Sequence, residues 1–337
     1  MKSFWKVLSL SVVALVFLAG CGGGKKGGIK VGLSLPTQRE ERWVRDKIKM
    51  EEEAKKLGVD LKVQISDNDA QKQLAQCENL IAQGIKVLIL APHDANSAAA
   101  IVEKAHKEGI KVISYDRLVM DCDVDVYISF DNVKVGELQG AYITKLVPKG
   151  NYVVLAGAPT DNNAKLFREG AMKYIKPLAD KGQIKIVMDQ WVKDWQPAEA
   201  QKLMEQALTA NKNKIDAVLA PNDGTAGGCI QALAAQGLAG KVPITGQDAE
   251  LAAAIRIMKG EQTMTVFKDT RLLGAKAIEV AIKMAKGEEL TEATQTVNNN
   301  KIDVPSILLT PIAVDKNNLE EVLINSGYLK KEDVFKN

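Results

Sequence analysis

Histidine is the scarcest chemistry-bearing residue in this chain: His93 and His106 are the only two among 337 residues. Aromatics make up 5%, including four Trp, and there are four Cys. Each shortage excludes something. His106 falls inside a helical stretch, His93 follows Pro92 in a loop, and neither neighbours a G-x-S-x-G motif, so histidine-activated nucleophilic catalysis is not expected. No G-x-G-x-x-G follows Leu35 and no G-x-x-x-x-G-K-[ST] occurs anywhere, so no nucleotide site and no cofactor are implied. Cys77, Cys122 and Cys229 are odd in number and widely spaced, which gives neither a disulfide framework nor a metal cluster. Lys and Arg total 45 against 42 Asp and Glu, a formal net charge of +3, and the two signs alternate along the chain. Nucleic acid is therefore not an expected partner, because such a surface needs clustered basic residues. No apolar run is long enough to span a bilayer.

What is present begins at the N-terminus. Met1 to Lys6 is basic, Leu8 to Leu18 is almost uninterrupted apolar sequence, and Leu18-Ala19-Gly20-Cys21 follows. That order of positive, apolar and small residues predicts a signal peptide over residues 1–20. The terminal Cys21 resembles the lipobox of bacterial lipoproteins, in which the thiol takes a diacylglycerol and the chain is cut just before it. The alternative is an ordinary signal peptide with a Cys nearby. Residues 21–28, rich in Gly and Lys, form a flexible tether. The resemblance implies an exported body anchored by lipid to the outer face of the cell membrane.

Residues 29–337 are enough for two domains of roughly 150 residues each. Short β-branched runs at Ile29–Leu35, Asp60–Ile65, Val87–Ala91 and Lys111–Tyr115 predict strands. Helical stretches near Val44–Leu57, Gln71–Gln83 and Ser97–Glu108 separate them, each followed by a Gly (58, 84, 109) suited to a left-handed cap. Cys77 shares a helical face with Leu74 and Ile81, which suits a small core residue. The alternation then repeats with strands at Tyr152–Ala156, Ile184–Gln190, Ala217–Ala220, Pro243–Gly246 and Thr263–Phe267. This is an α/β pattern with parallel sheets covered on both faces. Ligands of such sheets sit beyond the carboxyl ends of strands. The polar groups there are Glu41-Arg42-Trp43, Asp116-Arg117, Asp161-Asn162-Asn163, Asn222-Asp223, Gln247-Asp248 and Lys268, and they come from both halves. A cleft between two domains is their natural meeting place.

At these residues the sequence resembles the periplasmic sugar-binding proteins of ABC transporters, in particular their D-xylose-binding branch. Long stretches carry the likeness: Tyr-Ile-Ser-Phe-Asp-Asn at 127–132, Asp-Asn-Asn-Ala-Lys-Leu-Phe-Arg at 161–168, and Ala-Leu-Thr-Ala-Asn-Lys-Asn-Lys-Ile-Asp-Ala-Val at 207–218. The resemblance implies the type I periplasmic binding protein fold, two Rossmann-like lobes joined by a three-strand hinge. The N-terminal lobe would take 29–131 and 271–302 and the C-terminal lobe 132–267 and 306–337, with crossovers near 131–135, 266–270 and 303–308. It makes Trp43 and Trp195 the walls of a sugar site, since one face of a pyranose is a patch of C–H groups that packs on a flat ring. Without the family, both would serve equally well as core anchors. It assigns hydroxyl contacts to Asp116, Arg117, Asn163, Asn222, Asp248 and Lys268, where charge-assisted hydrogen bonds are strong. Asp and Asn also favour helix caps at such turns; Asp223 is expected to be a cap, and Asp161 and Asn162 are left unassigned.

One departure bears on specificity. Relatives carry a carboxylate pair in the first loop where this chain has Pro36-Thr37. Either Glu41 takes over that role or the pocket changes at that edge, which keeps D-glucose beside D-xylose as a ligand. Arg45 is expected on a solvated helix position. The implied partners are a monosaccharide and an ABC permease, with the protein a monomer; a receptor that serves sensing rather than transport fits the same residues. A sugar-responsive repressor of this fold would need a helix-turn-helix module where this chain has an export signal. If Cys21 carries lipid, Cys21→Ala should move the protein from the membrane fraction to the soluble pool. Retention on membranes after a salt wash, with the signal removed, would overturn the lipoprotein assignment.

Overall fold

A computed structural model describes Met1 and residues 28–335. Cys21 and nearly all of the expected signal peptide and tether lie outside the described residues.

The chain opens as a strand–helix alternation. It runs β1 (Lys30–Leu35), α1 (Glu41–Leu57), β2 (Asp60–Ile65), α2 (Ala70–Ala82), β3 (Val87–Leu90), α3 (Ala99–Lys107), β4 (Lys111–Tyr115) and β5 (Val126–Phe130). It crosses into a second lobe with α4 (Asn132–Leu146), β6 (Gly150–Ala156), α5 (Asn162–Asp180), β7 (Ile184–Trp191), α6 (Pro197–Ala210), β8 (Ala217–Leu219), α7 (Asp223–Ala235), α8 (Leu251–Lys259) and β9 (Met264–Phe267). It returns with α9 (Thr270–Lys286), β10 (Gln295–Asn298) and β11 (Asp303–Leu309), and ends in the second lobe with β12 (Ile312–Asp315) and α10 (Lys331–Val334).

The first lobe is one sheet of order β10-β11-β5-β4-β3-β1-β2, parallel except for β10. Its two faces bury separate apolar clusters. Val31, Leu33 and Ile113 pack with Met50 of α1 and Ala277 of α9, while Leu88, Leu90 and Val112 pack with Leu80 of α2 and Ile101 of α3. Cys77 is fully buried in the second cluster. The second lobe is built on β7-β6-β8. Val218 bridges to Ile244, and backbone bonds from Thr263 to Ile244 and from Val266 to Gly246 extend the sheet towards β9 and its antiparallel neighbour β12. Residues 243–246, expected as a strand, run between β8 and β9 with a single bridge and these backbone bonds in place of a regular ladder.

Local chemistry sets the boundaries. Asp69, Asp131, Asp161 and Asp269 accept backbone N–H groups at the starts of α2, α4, α5 and α9, and Gly58 ends α1 at φ 71°. Asn222, not Asp223, caps α7, through a reciprocal capping box with Thr225. The third passage between lobes falls after Leu309, beyond the expected 303–308, because Ser306–Leu309 of β11 pair with β5 and so belong to the first sheet.

In the second lobe α4 and α5 meet almost backbone to backbone. A Cβ on Gly136 would lie 1.9 Å from the Phe167 carbonyl oxygen, and one on Gly170 would lie 2.0 Å from that of Val133. Neither oxygen is a flexible tip that can turn aside, so the helices would have to separate. Gly136→Ala should therefore cost about 3 kcal/mol of stability in urea unfolding; a loss below about 0.5 kcal/mol would show that these helices part freely.

Candidate functional site

The carboxyl ends of the strands in both lobes converge on one cavity, lined by side chains from each lobe. The first lobe contributes Glu40 from the residue before α1, Arg42 and Trp43 from the first turn of α1, and Asp116 and Arg117 from the end of β4. The second contributes Asp161, Asn163 and Phe167 after β6, Trp195 after β7, Asn222 after β8, then Gln247, Asp248 and Lys268. Eight of the nine residues expected at the ligand, all but Glu41, line it.

Glu41 lies elsewhere. Its carboxylate accepts from Arg45 of its own helix, and Oε2 accepts the backbone N–H of Leu251 at 2.9 Å in the opposite lobe. It joins the lobes instead of facing the cavity. Arg45 is correspondingly occupied, donating to Glu41 and to the Tyr328 carbonyl at 3.1 Å.

The aromatic walls are fixed by their surroundings. Trp43 is 1% exposed, with the Arg42 guanidinium 4.3 Å and that of Arg117 5.2 Å from its ring centre. Trp195 is 6% exposed, packs edge-on against Phe167 and donates from Nε1 to Asp161 Oδ2 at 3.1 Å. It holds φ at +57°, directly after Asp194 at +50°, a conformation costly for a bulky side chain. Gly157 makes room for it: a Cβ there would lie 2.0 Å from Trp195 Cη2.

Buried charges of both signs surround the space. Arg42 donates to Asp46 Oδ2 behind it (2.9 Å from Nη2) and to Asp116 Oδ2 in front (2.6 Å from Nη1). Burial opposes the charge on Arg42, but Asp116, Asp46 and Asp248 outweigh it and raise its pKa. Burial likewise works against ionised Asp116, yet Arg42, Lys268 and Arg117 hold its carboxyl below the usual range. Behind Arg42, burial pushes Asp46 up to about 6, even with Arg42 and the Tyr115 hydroxyl beside it. Lys268 Nζ lies 3.2 Å from Asp248 Oδ1 and 3.7 Å from Asp116 Oδ2.

The lobes are closed on each other. Arg117 pairs with Asp161 at 2.8 Å, Asn163 Nδ2 donates to the Asp116 carbonyl at 2.9 Å, and Ala95 N donates to the Thr160 carbonyl at 2.9 Å. Asn163 Oδ1 also accepts from Asn132 at 2.9 Å. Both ends of that amide are thus engaged by protein. Asn222 spends its Oδ1 on Thr225.

Sequence reading named Arg42, Asp161 and Gln247 among strand-end polar groups without assigning them, and passed over Glu40 and Phe167. An Arg in the first turn of a helix, where acidic residues are favoured, was the one available signal for Arg42. Asp223 turns its carboxylate inward: Oδ1 accepts Gln262 Nε2 at 2.7 Å, and Oδ2 accepts Thr265 Oγ1 at 2.9 Å and the Glu250 N–H at 3.0 Å.

The fold and this enclosed polar cavity define a two-lobed solute-binding protein. Residues 31–289 match the periplasmic binding protein domain, and the chain belongs to that family. It is 50% identical to the D-xylose-binding periplasmic protein of Escherichia coli K12 over 306 residues, 91% of this chain and 92% of that one. The multiple sugar-binding periplasmic receptor of Rhizobium radiobacter is 38% identical, with 97% of this chain and 99% of that protein covered. Among solved structures, an ABC transporter solute-binding protein from Clostridium phytofermentans with bound β-D-glucose has a TM-score of 0.84 at 35% identity, covering 90% of this chain and 99% of that one. A carbohydrate transporter solute-binding protein from Chloroflexus aurantiacus in complex with D-glucose also reaches 0.84, at 37% identity over 90% and 97% of the two chains. These relatives are binding proteins, not enzymes.

Glu250, next to Asp223, gives the site a pH signature. Burial, then the charges of Asp223, Asp248 and Glu41, raise its carboxyl to about 8. Burial raises Asp223 as well, but its three donors favour the charged form, so the proton resides on Glu250. Folded Glu250 keeps a proton that the unfolded chain releases near pH ~4.3. The folded state thus binds more protons in that window, and stability falls as pH rises towards about 8. Glu250→Gln should flatten this part of the urea-midpoint profile between pH 5 and pH 8.5. An unchanged slope would place the proton elsewhere.

Proposed function

We propose that this chain is an exported monosaccharide-binding protein that captures D-xylose between its lobes and presents the closed complex to an ABC permease. One observation carries the reading. Glu40 Oε2, Gln247 Oε1 and Asp248 Oδ1 are buried without a hydrogen-bond partner, and all three residues line the cavity. Asp248 Oδ1 has ion-pair contacts alone, with Lys268 at 3.2 Å and Arg42 at 4.0 Å. Buried acceptors left unmade are costly, so the fitting occupant is small and rich in donors. A polyhydroxylated ring meets that demand, and its C–H faces suit Trp43 and Trp195.

Xylose ranks first because the D-xylose-binding relatives share half of their residues with this chain over most of its length. D-glucose is the second ligand, favoured by the glucose-bound structures and by Pro36-Thr37 in the first loop. Glucose repeats the ring hydroxyl pattern of xylose and adds one hydroxymethyl group, so only size separates them. The contacts come from Asp116, Arg117, Asn163, Asn222, Asp248 and Lys268, between the two Trp walls; Arg42 joins them. Binding stabilises the closed form because the sugar touches both lobes. The protein works as a monomer held to the membrane by lipid on Cys21.

Calorimetric titration should give xylose the tightest binding, glucose equal or weaker, and galactose and ribose weaker by about 1–3 kcal/mol for each inverted or missing hydroxyl. Trp195→Ala should lose more than about 1 kcal/mol. Tight ribose binding with no measurable xylose binding would sink the assignment.

A further inference from the structure

Glu40 occupies a position for which neither the cap of α1 nor the packing of the lobe gives a reason. Its backbone carbonyl accepts the Trp43 N–H at 3.1 Å, but its side chain makes no cap bond. Instead the carboxylate, 8% exposed, lines the cavity. Oε1 is held by Arg39, from Nε at 3.2 Å and from Nη2. Arg39 Nη2 also donates to the Asp194 carbonyl of the other lobe, one residue before Trp195. Arg39 therefore pins Glu40 at the seam between the lobes by one oxygen. Oε2 is left buried and unpartnered.

We infer that Glu40 determines specificity: its Oε2 accepts a hydroxyl of the bound sugar on the seam side of the cavity. The inference rests on the monosaccharide reading above. A carboxylate only accepts, so the missing partner is a donor. Glu40 already has its cation in Arg39, so the missing partner has a proton to give and no charge to balance. A hydroxyl supplies that proton without adding charge. Glu40 therefore reads one hydroxyl from the first lobe, opposite the acceptors Gln247 and Asp248 of the second.

The test is a double-mutant cycle on the full chain. Wild type, Glu40→Leu and Glu40→Gln are titrated with D-xylose, D-glucose and the singly deoxygenated D-xyloses, with thermal midpoints recorded for each protein. Glu40→Leu should weaken D-xylose about tenfold or more, the scale of a hydrogen bond to a charged group. One deoxy sugar should lose at least about tenfold on wild type but less than about threefold on Glu40→Leu, while the others lose equal factors on both. If Glu40→Leu fails to fold, Glu40→Gln, which keeps the volume and one acceptor, should show the same selective compression to a smaller degree. Equal losses for every deoxy sugar on wild type and variant overturn the role of Glu40 and leave the sugar-binding reading standing. A wild type that binds no monosaccharide overturns both.

Discussion

Charges buried on both lobes and paired across the gap between them are the constraint on which this structure depends. Removing an ion from water costs several kcal/mol unless a partner and hydrogen bonds replace the solvent. Arg42 meets that demand inside its own lobe, between Asp46 and Asp116. Arg117 donates to the Pro92 carbonyl of its own lobe but finds its carboxylate, Asp161, on the opposite lobe, and Asp248 pairs with Lys268 just after β9 and faces Arg42 of the first lobe at 4.0 Å. Closure is thus what completes the pairing. The acceptors that closure leaves over point to the ligand, so capture and closure are two aspects of one electrostatic balance.

Unusual backbone recurs where this balance is struck. Asp116, Asp194, Trp195 and Asp248 all have positive φ, and all but Asp194 line the cavity. Away from it, the left-handed positions that end α1, α8 and α9 are glycines, which adopt them without penalty. Short turns after parallel strands must aim large polar side chains at a common point, and ordinary turn geometry does not reach. The packing around Trp195, with Gly157 beneath it and Asp161 on its indole nitrogen, holds the strained segment in place.

A second group of charges, behind the cavity, ties the hinge side to the site. Asp223, Glu250 and Asp248 crowd the start of α8, and Glu41 reaches that helix from the other lobe through the Leu251 N–H. A carboxylate at a helix N-terminus is favoured by the exposed N–H groups. Burial first, and then competition for ionisation among these neighbouring carboxylates, give Glu250 its raised pKa.

The alternation of β-branched runs with amphipathic helices and Gly caps determined, in the sequence alone, that the chain forms parallel sheets with polar groups at the strand ends. β2 and β4 fall where the pattern puts them, because period and turn chemistry are local properties. The strand-end polar residues that share the cavity were legible for the same reason: a strand end in a parallel sheet faces the ligand side wherever it falls in sequence. Trp43 and Trp195 were assigned to the site through the family resemblance, since by themselves they suited core anchors equally well. Glu40 against Glu41 was not legible. Glu40 is the extended residue just before α1 and Glu41 the first residue in it, so the path of the chain into the helix and the docking of α1 on its sheet decide which of two adjacent carboxylates enters the cavity and which crosses to the other lobe. The end of the first sheet was likewise a tertiary decision, since only the pairing of β11 with β5 shows where the chain leaves it. Side-chain identities and local periodicity are written in order along the chain; the direction in which a given side chain points is settled only when two lobes close and every buried charge must find its partner.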